Sequence, residues 1–110
     1  MTMTASVQKE LVQGLLAATG KKISTILLYG STARGTATDE SDVDIAMVIN
    51  EPLNTEEEDR LNDFIVDMNL KYDTVFSVID LTEADFKKWV NVVPFYKNVA
   101  DEGIVLWKTA

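Results

Sequence analysis

Residues 28–50 read LYGSTARGTATDESDVDIAMVIN. ISTILLY, 23–29, is an apolar, β-branched run that stops at Gly30-Ser31; a polar loop follows, and a second apolar run, DIAMVIN, opens at Asp44 and closes at Asn50. Both runs predict buried strands. Asp42 and Asp44 stand at i and i+2, so their side chains leave one face of the second strand. Carboxylates at the mouth of a buried strand lose hydration and need a counter-charge.

Converging carboxylates suit Mg²⁺, a hard cation usually held by one or two carboxylates together with substrate phosphates. An isolated Asp-x-Asp is ordinarily a solvated turn before a strand. Upstream, however, Gly30-Ser31 can open a short helix whose first backbone N–H groups favour an anion such as phosphate. Gly30 lets a phosphate approach the backbone closely, Ser31 adds a hydroxyl, and Arg34 is one turn further on. Gly-Ser alone is a common helix cap. Gly30-Ser31 and Asp42-x-Asp44 together are less ordinary, since four fixed residues should recur by chance on the order of once per thousand such chains.

Outward from this centre, Val7, Leu11, Leu15 and Leu16 predict a helix over 6–19, opened by Ser6 and closed by Gly20. Thr55 with Glu58 is a capping-box signature, followed by Leu61, Phe64, Ile65 and Met68 on one helical face to about residue 71. TVFSVID, 74–80, predicts a third strand, and Thr82 with Asp85 a short capped helix. Pro94 opens a final helix, Gly103 ends it, and IVLW, 104–107, closes the chain as a strand or docking segment. The order predicts an α/β (α+β) fold, a small mixed sheet with helices packed on it, in a single domain over 1–110.

The 110 residues carry a net charge of −8, with no cysteine and no histidine. Disulfides and thiolate zinc sites are excluded, and so are the commonest general base and transition-metal ligand. The acidity disfavours direct nucleic-acid binding and matches a basic protein partner. No apolar run approaches the ~20 residues of a membrane span, and MTMTASVQKE lacks the layout of a signal peptide, so a cytoplasmic protein is expected.

Gly30-Ser31, ten intervening residues and Asp42-x-Asp44 resemble the signature of the DNA-polymerase-β-like nucleotidyltransferases, most of all their minimal domains. PFYKNVADEGIVLW, 94–107, resembles that family's closing segment. The resemblance implies Mg²⁺-dependent transfer of a nucleoside monophosphate from a triphosphate, commonly ATP. By position, Gly30 and Ser31 would hold the triphosphate, with Arg34 in reach, and Asp42 and Asp44 would hold the metal. A third carboxylate on the next strand would complete the site; Asp73 is its candidate and a plain strand-edge carboxylate the alternative. The resemblance further implies a HEPN-class toxin as partner, with AMP added to its hydroxyl, often of tyrosine, and leaves homo- or hetero-oligomers open. A module that neutralises its partner by occlusion with little or no transfer is the alternative, and small-molecule modification a third reading.

Other features read as structure. GLLAATGKK, 14–22, has five residues between its glycines where a phosphate-binding P-loop has four, and fits a helix C-cap. The acidic run 56–59 complements a helix N-terminus. Trp89, Phe95, Tyr96 and Trp107 are expected to pack as core or edge, or to anchor a partner.

Overall fold

The two apolar runs lie side by side as antiparallel strands in a computed structural model of the chain, which describes residues 3–38 and 40–109. In chain order the elements are α1 (Ala5–Thr19), a 3₁₀ turn (Gly20–Lys22), β1 (Ile23–Tyr29), α2 (Gly30–Arg34), β2 (Val43–Ile49) and α3 (Thr55–Tyr72). They continue with β3 (Phe76–Thr82), α4 (Glu83–Trp89), α5 (Pro94–Glu102) and β4 (Ile104–Lys108). The sheet runs β3-β2-β1-β4. A short excursion returns β2 antiparallel to β1, whereas β3 comes back parallel to β2 because α3 carries the chain across. The expected order of elements and the mixed sheet are both present.

Strand parity divides the core. Ile45, Met47 and Ile49 of β2 point to the face where α1 contributes Leu11 and Leu15 and α3 contributes Leu61 and Met68. Ala46 and Val48 point to the opposite face, against Leu27 of β1, Leu81 of β3 and Val99 of α5. β2 is therefore buried on both sides, which is why its sequence runs apolar without alternation. Asp44 shares the parity of Ala46 and Val48, so its carboxylate opens on the α5 side.

Four boundaries differ from expectation. α1 begins at Ala5, not Ser6, because the Thr4 hydroxyl accepts from the Val7 N–H (3.2 Å). α3 is capped by Asn54 and Glu57, not by Thr55 and Glu58. The Glu57 N–H donates to Asn54 Oδ1 (2.8 Å), and the Asn54 N–H donates to Glu57 Oε1 (2.9 Å). Asn-x-x-Glu satisfies the capping pattern as well as Thr-x-x-Glu does. Burial decides between them, since Glu57 turns inward to meet Lys22. β2 starts one residue earlier than read, and β3 starts at Phe76 instead of Thr74. The Thr74 N–H returns to the Asn69 carbonyl, and the Asn69 side chain receives the Phe76 N–H, so the helix end consumes the residues expected to begin the strand.

The Glu57 carboxyl is held below its ordinary value of 4.5 by the Asn54 N–H and then by Lys22. A depressed folded value stabilises the native state above the unfolded value, and that contribution is lost as pH falls through the folded one. Glu57→Gln keeps an acceptor for Asn54 but no charge. At pH 7 the wild type should melt above this variant, and the difference should close as pH drops below 4.5. A difference constant with pH would show that the charge is not what matters.

Candidate active site

β1 ends at Tyr29, and the antiparallel register sets Tyr29 opposite Asp44. The chain then turns at Gly30, with φ +73°, into the five-residue α2. That turn lies directly against the acid: a Cβ on Gly30 would fall 2.4 Å from Asp44 Oδ2. Glycine is required twice here, by the left-handed backbone and by the close approach. Ser31 follows, half-buried. Arg34, exposed at the end of α2, pairs with Glu102 of α5 through Nη1 and Oε2 at 3.0 Å. Asp42 is exposed one residue before β2, and Asp44 is half-buried within it.

The electrostatics leave a charge unmet. Burial first, and the Asp42 charge second, push the Asp44 carboxyl above its ordinary value, and Arg34 only partly opposes them. Burial and Asp44 together raise the Tyr29 phenol. Two carboxylates that repel one another at the open end of a sheet suit a divalent cation, which reverses the sign of the local field.

The structure brings Gly30, Ser31, Arg34, Asp42 and Asp44 to one end of the sheet. Asp73 precedes β3 at that same end of the sheet, ahead of the strand itself. It is the left-handed cap of α3 (φ +47°), three residues before β3 begins, and not the first residue of that strand. The parallel register sets Ser77 beside Asp44, on the same face. The Val75 carbonyl accepts from the Val43 N–H (2.8 Å), one step nearer the mouth. Asp80 has the opposite parity and lies opposite Met47. Among the described residues, no group of three acidic side chains is gathered closely enough to hold a metal ion.

Sequence reading missed Tyr29, Ser77 and Glu102 as neighbours of the site. Tyr29 could have been found, because it immediately precedes Gly30. Ser77 and Glu102 depend on a parallel register and on the return of α5, neither of which leaves a local signal. The four C-terminal aromatics do not form one cluster. Trp107 packs with the α1 side of the sheet, and Phe95 and Tyr96 lie with Tyr29 on the Asp44 side.

Comparison with known proteins adds the following. The family model described as polymerase beta, nucleotidyltransferase matches residues 12–109. A candidate protein adenylyltransferase of Methanocaldococcus jannaschii is 37% identical over 99 residues, covering 90% of this chain and 93% of the relative. A chain from a crystal structure of a toxin–antitoxin pair with AMP-PNP superposes with a TM-score of 0.63 at 21% identity, covering 93% of this chain and 73% of that one. A chain from the complex of a tri-AMPylated Shewanella oneidensis HEPN toxin with its MNT antitoxin gives 0.56 at 18% identity, covering 96% and 74%. At these identities the two structural likenesses establish the fold.

Proposed function

The chain belongs to the polymerase β nucleotidyltransferase family, and from that premise we propose that it transfers AMP from ATP to a hydroxyl of a partner protein, a HEPN-class toxin. The observation that carries this reading is the contact between the Gly30 turn and Asp44, which joins a place for phosphates to a pair of carboxylates. Asp42 and Asp44 would hold Mg²⁺, which when bound neutralises phosphate charge and supplies a template for in-line displacement. The residues fit that ion, because the like charges of Asp42 and Asp44 lack a full counter-charge in the protein.

Gly30 and Ser31 cradle the triphosphate, and Arg34 reaches it by exchanging Glu102 for phosphate oxygens. The acceptor oxygen attacks the α-phosphorus, a new O–P ester bond forms, and the bond to the β-phosphate breaks. Pyrophosphate departs with the electron pair of that bond, and the hydroxyl proton is released. The protein's share of catalysis is alignment and charge placement, which needs no histidine.

A protein acceptor is supported by the name of the Methanocaldococcus jannaschii relative, by the AMPylated toxin in one structural neighbour, and by the net charge of −8, which suits a basic partner. A second reading, occlusion with little transfer, is favoured by the residue that the parallel register sets beside Asp44, which is Ser77 and carries no charge. The two readings separate when the protein is mixed with ATP, Mg²⁺ and its partner toxin, and the toxin is weighed intact. A gain of one AMP unit supports transfer. A tight complex with no change in mass supports occlusion.

A further inference from the structure

α5 places an open aromatic ring beside the phosphate turn. Phe95 follows Pro94 in the first turn of α5, and α5 packs against α2. Its ring meets Tyr29 edge-on at 5.9 Å between centroids, with an interplanar angle of 88°. It meets Tyr96 the same way, at 5.7 Å and 83°. Tyr96 in turn contacts Phe86 of α4 at 6.2 Å. Four aromatic rings from β1, α4 and α5 thus form a connected row on the Asp44 side of the sheet. The other three rings are half-buried, whereas Phe95 keeps 41% of its surface exposed.

An exposed phenyl ring buried on folding would contribute favourably, so leaving it open forfeits stability. The two edge-on contacts fix its orientation, and the proline ahead of it restrains the backbone. The row also ends at the right place. Tyr29 is the residue before Gly30 and stands in register with Asp44, so Phe95 is one ring removed from the phosphate turn.

We propose that Phe95, backed by Tyr29 and Tyr96, is the platform on which the base of the nucleotide stacks. This rests on the transferase reading above, which puts the triphosphate at Gly30-Ser31. A phenyl ring has no donor or acceptor, so it holds the π-face of the base without reading its edge. The platform favours purines by stacking area and does not itself select adenine.

The test measures Mg²⁺-dependent binding of ATP and of inorganic tripolyphosphate to wild type, Phe95→Ala and Phe95→Trp. Stacking predicts that Phe95→Ala weakens ATP by about 5- to 150-fold and leaves tripolyphosphate unchanged. Phe95→Trp should keep ATP affinity, and its added indole fluorescence should be quenched by ATP but not by tripolyphosphate. Equal ATP affinity in wild type and Phe95→Ala overturns the platform alone. So does a parallel loss of both ligands, which would mean that the ring only props the turn. Wild type that binds neither ligand overturns the transferase reading, and the platform with it.

Discussion

Replacing Asp42 and Asp44 together by asparagine should reduce AMP transfer by at least about a thousandfold, because a bound divalent cation is worth several kcal/mol of charge stabilisation. The same change should make the metal-free fold more stable. Asp44 has a folded value raised above its ordinary 3.8, first by burial and then by Asp42. A raised carboxyl means that the native state holds its proton more tightly than the unfolded chain does. The resulting penalty is absent below pH 3.8 and grows as pH rises, becoming complete above the folded value. At neutral pH without Mg²⁺, Asp44→Asn should therefore raise Tm. Adding Mg²⁺ should raise the Tm of the wild type and leave that of the double variant unchanged. A double variant that still adenylylates its partner, or a wild type indifferent to divalent cations, would sink the metal assignment. Lower stability in Asp44→Asn would show instead that this carboxylate makes a structural contribution.

Gly30→Ala should be the most damaging single-atom insertion near the site. The new Cβ would meet Asp44 Oδ2 at 2.4 Å, so either the turn or the carboxylate must move. The left-handed backbone adds about 1–2 kcal/mol of strain for any residue with a Cβ. A displacement of about 1 Å in aligned groups costs on the order of a hundredfold in rate. We expect a loss of that size in kcat/KM together with a lower Tm. Gly35 supplies the control. Its φ is +77°, but a Cβ there meets nothing within 4 Å. Gly35→Ala should thus carry the backbone strain alone, lower Tm less than Gly30→Ala does, and keep its activity. Equal activity in the two variants would show that the approach of Gly30 to Asp44 is incidental to turnover.

Much of the architecture was legible because the signals are local. Ile23–Tyr29 is β-branched and bounded by Lys22 and Gly30, and the strand occupies those residues. Thr82 with Asp85, Pro94 and Gly103 mark helix ends whose hydrogen bonds span only a few residues, and all three act as read. The candidate site was legible in part for the same reason, since Gly30, Ser31, Asp42 and Asp44 flank one loop. Where two local signals competed, sequence could not choose. Asn54 and Thr55 can both cap α3, and the inward turn of Glu57 toward Lys22, 35 positions earlier, selects Asn54.

By itself, then, the sequence determined the elements, their order, and the spacing that puts Gly30-Ser31 and Asp42-x-Asp44 on either side of one loop. Periodicity, caps and turn residues act over a few bonds, and each can be read in isolation. Only the tertiary structure decided that Ser77 stands beside Asp44, that Glu102 holds Arg34, that Asp73 ends a helix, and that Phe95 leans on Tyr29. Those neighbours are set by strand register and by the docking of α5. Both follow from burying two sheet faces at once, a sum over residues far apart in the chain that no single stretch records.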